Sequence, residues 1–187
     1  NGVFESLDNG ETAFESFSYT VDDGNGGSST ATVFISIVGQ NDAPVASDDF
    51  YLVSEESLLA PDPSVGIFAN DTDAEASVLT LFQINGQTID SIITLTSGAT
   101  VTATSDGNWV YDPRSAFNSL NFGETATDSF TYTILDDGGL TSTATVNLVI
   151  NGWNDSASIT GVNVVSVSED TDAASGTLVV TDPDSGQ

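Results

Sequence analysis

Apolar and polar residues alternate with a period of two along most of this chain. Phe17, Tyr19 and Val21 alternate with Ser16, Ser18 and Thr20, the pattern of a strand with one face turned to a core. After the turn Asp22-Asp23-Gly24-Asn25-Gly26-Gly27, Ala31, Val33, Ile35 and Ile37 alternate with Thr30, Thr32, Phe34 and Ser36. The spacing predicts a hairpin. Further strands are expected over Ala46 to Val53, over Val78 to Ile84 up to the tight-turn pair Asn85-Gly86, and over Ile89 to Leu95. Val101 to Thr104 and Trp109 to Tyr111 flank Ser105-Asp106-Gly107-Asn108 as another hairpin. The stretch from Ser115 to Phe122 is less regular and has room for one helical turn. Phe130, Tyr132 and Ile134, the turn Asp136-Asp137-Gly138-Gly139, and Ala144, Val146, Leu148 and Ile150 close the series. No helical period occurs. About seven short strands in roughly a hundred residues predict an all-β, Greek-key β-sandwich, and the wealth of Thr, Val and Ile suits pleated surfaces.

The alternation repeats at long range. Residues 11–44 align with 124–157 at a constant offset of 113, and 18 of the 34 positions are identical. The alignment pins Asn41-Asp42-Ala43-Pro44 to Asn154-Asp155-Ser156-Ala157, so the chain reads as tandem repeats joined at short acidic linkers. Three units are expected: 1–42 as the C-terminal part of one repeat, 43–155 as a complete repeat, and 156–187 as the N-terminal part of another. In the last, Ile159 to Val167 predicts a strand. Ser168-Glu169 echoes Ser54-Glu55, and Asp182-Pro183-Asp184 echoes Asp71-Thr72-Asp73. The simplest reading is an excerpt from a longer polypeptide.

Charge changes the picture from fold to chemistry. There are 28 acidic residues against one basic residue, Arg114, and a formal charge of −27. With 39% hydrophobic residues, the chain can build a core, and a compact body of that charge repels itself unless counter-ions lie close. Nucleic acid and anionic membranes are therefore poor partners, and divalent cations good ones. Cysteine and histidine are absent, which removes disulfides, Cys- or His-based metal sites and the usual triads. No apolar run is long enough to span a membrane. Paired carboxylates can hydrolyse glycosides, but these acids recur in turns and at joints, where a repeated structural role accounts for them. The expectation is a protein that is not an enzyme.

Calcium takes about six to eight oxygens in flexible geometry, and each joint can gather them. Asp-x-Asp spacing points two carboxylates to one side of an extended segment. The candidates at the first joint are Asp22, Asp23, Asn41, Asp42, Asp71 and Asp73. At the second they are Glu55, Glu56, Asp136, Asp137, Asn154, Asp155, Asp182 and Asp184. The glutamates are assigned there because the head and tail of a domain lie at opposite ends. The two Asp-Asp pairs also satisfy turn chemistry unaided, and Asp48-Asp49 fits a metal role or a solvated face equally. Trp109 is expected to pack within its hairpin, and Trp153 to contact the next domain.

The Asn-Asp-Ala-Pro linker, the Ala-Asn-Asp-Thr-Asp segment and the Ser-Phe-Thr-Tyr-Thr strand resemble bacterial cadherin-like repeats. The run from Ser168 to Gly186 is similar to the VCBS repeat. The resemblance implies linker acids and an Asp-x-Asp that bind Ca2+ and stiffen the joint: Asn41, Asp42, Asp71 and Asp73, and likewise Asn154, Asp155, Asp182 and Asp184. It also implies a place in a large secreted, RTX-type adhesin or biofilm protein on the bacterial surface, often exported by type I secretion. The function expected is that of a calcium-rigidified spacer whose partners are neighbouring repeats. A carbohydrate- or protein-binding module, and a subunit that assembles with like chains into a filament, are the alternatives. Ser156-Ala157 replaces Ala43-Pro44 at the second joint and removes a conformational restraint there.

Overall fold

The computed structural model describes residues 2–161, 169 and 176–184. It is built from hairpins. Strands β1 (Thr12–Asp22) and β2 (Ser28–Val38) form a two-stranded antiparallel sheet. The central unit holds β3 (Asp49–Ser54), β4 (Thr80–Ile84), β5 (Gln87–Thr88), β6 (Ile93–Thr94), β7 (Thr100–Ala103), β8 (Trp109–Asp112), β9 (Thr125–Leu135) and β10 (Thr141–Asn151). One helical turn, α1, spans Arg114–Phe117. Beyond it, β11 (Ser158–Gly161) pairs with β12 (Leu178–Thr181). The expected strand from Ile159 to Val167 lies outside the described residues after Gly161, as do Ser168 and Asp170.

Two sheets face each other in the central unit. One has the order β3-β10-β9-β4-β5 and the other β6-β7-β8. Alternation decides which side chains meet. Phe130, Tyr132, Ile134, Val146, Leu148 and Ile150 from the larger sheet bury against Ile93, Val101, Trp109 and Tyr111 from the smaller. The Trp109 ring sits edge-on to Tyr51 and Phe130, with centroids 5.1 and 5.3 Å away, so Trp109 packs as expected. Asn85 and Gly86 both take positive φ, 48° and 72°, which the tight β4–β5 turn requires. Ile89 to Leu95 does not continue the β4 sheet: only Ile93–Thr94 is strand, and it pairs with β7 in the opposite layer.

Two features escape local pattern. Strand β3 runs parallel to β10, Asp49 opposite Val146 and Ser54 opposite Asn151. Both strands therefore finish at the same end of the sandwich, and the peptide after β3 emerges beside the second linker. The β1–β2 hairpin, moreover, is not half-buried. Phe17, Tyr19 and Val21 are exposed, whereas Phe130, Tyr132 and Ile134, their counterparts at offset 113, are buried. The related sequence makes the same hairpin, but no second sheet lies over the first copy among the described residues.

That difference has an energetic signature. Leu148 is 1% exposed and its counterpart Ile35 is 40% exposed. Leu148→Ala should cost about 2–5 kcal/mol of stability, as a filled core position does, while Ile35→Ala costs less than about 1 kcal/mol. Urea denaturation of the two variants followed by Trp fluorescence measures both.

Candidate metal-binding joints

The first joint is built where the linker leaving β2 meets the loop before β4. Val45 and Thr72 exchange two backbone hydrogen bonds, Val45 N to Thr72 O at 2.7 Å and Thr72 N to Val45 O at 3.1 Å. This clip holds the Asp71–Glu75 segment beside Asn41 and Asp42. The Asn41 amide donates to Asp136 Oδ2 at 2.9 Å and to the Asp42 carbonyl at 3.2 Å. The Asp42 N–H donates to Glu75 Oε2 at 3.4 Å. Asp136 is buried, and its Oδ1 accepts from Leu140 N at 2.8 Å. The β9–β10 turn approaches so closely that a Cβ on Gly138 would collide with the Asn41 side chain, so glycine is needed there for space. Asp73 turns its Oδ1 to the N–H groups of Glu75 and Ser77 at 3.1 and 3.0 Å. What remains is a set of buried oxygens with no donor: Asn41 Oδ1, Asp73 Oδ2 and Glu75 Oε1.

The second joint repeats this arrangement with other residues. Because β3 ends beside β10, Glu55 N donates to Asn151 O at 3.1 Å, and the fully buried Glu55 accepts from Trp153 N through Oε1. The Asn154 amide donates to the Asp155 carbonyl at 2.7 Å, as Asn41 does to Asp42. The Asp155 N–H donates to Asp184 Oδ2 at 3.1 Å, and the Asp184 N–H to Asp182 Oδ1 at 3.0 Å. Burial, then the charges of Asp155 and Asp184, push the Glu55 carboxyl above the usual range. Glu56 rises too, through burial and its neighbour Asp155. Here the orphaned buried oxygens are Glu55 Oε2, Asp155 Oδ2 and Asp184 Oδ1. Trp153 is exposed and lies edge-on to Phe122, centroids 5.6 Å apart.

Two sequence assignments of position are corrected. Asp136 and Asp137 do not sit at the second joint: they cap the far end of β9–β10, and Asp136 touches Asn41 of the first. Asp22 and Asp23 likewise lie at the end of β1–β2 away from the linker, ten paired positions from Val38, or about 33 Å at 3.3 Å per residue. Asp23 there bonds Asn25 and Gly27 within its own turn. The reason is common to both pairs. A hairpin sends its turn to one end of the domain and its termini to the other. Glu75 is not among the sequence candidates, yet it continues the alternation Asp71-x-Asp73-x-Glu75 and accepts from the Asp42 N–H.

Asp71 has a different neighbourhood from Asp73. Its Oδ1 accepts from Ser47 N at 2.8 Å and from the buried Tyr132 hydroxyl at 2.9 Å. That hydroxyl also lies 2.8 Å from Ser47 O and 3.1 Å from Ile67 O. Asp49, which is 8% exposed, faces the same group. Burial first, and then the Asp71 charge, push its carboxyl up to about 7; burial also raises Asp71. The Asp48 side chain is spent elsewhere, accepting from Thr145 N at 2.8 Å. Among the described residues no three acidic side chains come together as a ready-made metal cage. The joints instead present separate orphaned oxygens from different segments.

Comparison with known proteins agrees with the sandwich. Residues 41–152 match the family described as bacterial cadherin-like domain. The chain is similar to the extracellular cadherin domains 1–4 of protocadherin gamma B7, with 17% identity and a TM-score of 0.50 over 92% of this chain and 41% of that one. For protocadherin gamma B2 domains 1–5 the values are 17%, 0.48, 92% and 32%. The first likeness shows a shared fold, and the chain spans less than half the length of either structure. No curated protein matches it in sequence.

The raised Asp49 pKa sets a pH dependence in metal-free buffer. Its folded value of about 7 lies above the ordinary aspartate value of 3.8. The associated stability is therefore complete below about pH 4 and is lost as pH rises through about 7. Thermal melts in EDTA should show the central unit losing roughly 2–4 kcal/mol over that interval from this group. Asp49→Asn should flatten the profile.

Proposed function

The chain belongs to the bacterial cadherin-like domain family, and from that premise we propose that it is a calcium-stiffened spacer segment of a large extracellular adhesin. One observation carries the reading: at both linkers, buried side-chain oxygens from separate segments are left without donors. A buried carboxylate oxygen without a partner is costly, and a hard cation shared between segments would satisfy several at once. The residues fit such an ion, since every side-chain donor is oxygen. At the first joint Asn41, Asp42, Asp73, Glu75 and Asp136 would hold it. At the second, Glu55, Glu56, Asn154, Asp155, Asp182 and Asp184 would. Calcium would supply the positive charge that this chain lacks and tie linker to domain.

The unit boundaries are proposed as 1–42, 43–155 and 156–187. The central one coincides closely with the family match to 41–152. The exposed apolar face of β1–β2 supports reading 1–42 as the closing hairpin of another sandwich. Asp23, which occupies the place of Asp136 at offset 113, would then serve the corresponding joint at that sandwich's other end. Export to the bacterial surface, a VCBS-like third unit and a role in biofilms belong to the same proposal. Among the described residues no helix is long and apolar enough to cross a membrane. The exposed Phe50 and Leu52 on the outer face of β3 favour a second reading, in which the face binds a glycan or protein.

Small-angle scattering and thermal melting in EDTA and then in calcium test the spacer. Extracellular modules bind calcium at about 0.1–1 mM. At about 10 mM calcium, a site of 0.1 mM affinity adds about 2.7 kcal/mol. The maximum dimension should lengthen and the melting temperature rise by several degrees, with magnesium less effective. Asp136→Asn and Asp155→Asn should each blunt the lengthening. If neither dimension nor melting responds to calcium, the acids are a solvated coat and the binding reading takes precedence.

A further inference from the structure

We propose that Asp49 and Asp71, together with the main-chain carbonyls of Ser47 and Ile67, form a calcium site inside the central repeat, beneath the first joint. The observation behind it is a shortage of protons. The Tyr132 hydroxyl has one proton to give, yet Ser47 O, Ile67 O and Asp71 Oδ1 all lie 2.8–3.1 Å from its oxygen. The Asp49 carboxyl adds a further oxygen to the same knot. Ser47 N is the other donor that reaches Asp71, and the Asn70 amide reaches Ser47 O at a long 3.4 Å, which leaves Ile67 O and the carboxylates contesting the hydroxyl. Two carboxylate oxygens, Asp49 Oδ2 and Asp71 Oδ2, are buried with no partner at all. Asp49 is more than nine-tenths buried, and its charge and that of Asp71 act on each other.

No side-chain cation relieves this. Arg114 is the sole basic residue, and it grips Asp112 through Nε and Nη2 at 3.0 and 2.9 Å. The charged and titratable groups facing the knot are Asp48, Tyr51 and Tyr132, and none of them brings positive charge. Two carboxylates and two carbonyls make an all-oxygen donor set. Calcium accepts such a set with irregular geometry, whereas magnesium holds out for an octahedron. An ion here would join the start of β3 to the segment from Ile67 to Asp71, beside the Tyr132 hydroxyl of β9. It would secure the sandwich itself, whereas the joint ions set the angle between units. The identity of the ion rests on the calcium reading above.

Native mass spectrometry of the intact chain, titrated with calcium, counts the ions. Asp49→Asn should bind one calcium fewer, melt higher than the parent in EDTA because a repulsion is gone, and still lengthen with calcium in scattering. Asp49→Ser, a smaller polar replacement, should give the same count if the amide is poorly accommodated. Asp136→Asn should show the converse, a blunted lengthening with the inner ion kept. An unchanged calcium count in both Asp49 variants overturns the inner site and leaves a carboxyl pair sharing a proton, with the joints untouched. A parent chain that binds no calcium overturns the joint reading along with it.

Discussion

Buried carboxylates without protein cations are the constraint on which this structure turns. Its 28 acidic residues face one arginine, and that arginine is committed to Asp112 at the surface. Asp49, Glu55, Asp136 and Asp184 are nonetheless buried. Backbone N–H groups compensate part of the cost: Leu140 for Asp136, Trp153 for Glu55, Ser47 for Asp71. Each such carboxylate has a second oxygen, and for Glu55, Asp71 and Asp184 that oxygen has no donor. The cost that remains falls when such a carboxyl takes up a proton, as the raised Asp49, Glu55 and Asp71 do more readily, and a cation of the kind proposed above would offset it in the ionised form.

Strand geometry explains why the uncompensated oxygens gather at the ends of the sandwich. Strand interiors satisfy their own backbone groups through the ladder and bury apolar residues on alternate positions. Acids are therefore pushed to turns and strand ends. Parallel pairing of β3 with β10 then gives the two ends distinct kits. Asp49 starts β3 at one end, near Tyr132 and Asp71. Glu55 follows β3 at the other, against Trp153. A single short strand thus links the chemistry of both joints.

Local pattern made the hairpins, the Asn85-Gly86 turn and the inward faces of β9 and β10 legible in the sequence. These depend on near neighbours and a period of two. The positions of the acids were less legible, because they depend on which end of a domain a turn occupies. Sequence proximity points Asp136 to the second linker, but an eleven-residue strand carries the chain the length of the domain before that linker arrives. Reasoning about head and tail points Glu55-Glu56 to the second linker, and Glu55 lies against Trp153 there; the parallel β3–β10 pairing that brings it to that end is a non-local fact. Asp49 could not be separated from Asp48 by spacing. Burial distinguishes them, and burial there depends on Tyr132, more than eighty residues away in sequence.

The length of those strands also governs how a charge-dense array behaves. Asp136 and the second linker are separated by β10, eleven residues, or about 36 Å of extended chain. Screening at physiological salt acts over about 8 Å, so the acids of one joint scarcely sense those of the next. Repulsion is strong within a joint and weak between joints. On the proposed reading each cluster would respond to its own ions, and stiffness would accumulate unit by unit as nearest-neighbour terms. A chain built this way can lengthen by repetition without its charge making distant joints harder to close. The repeat at an offset of 113 residues is thus an electrostatic spacing as well as a structural one.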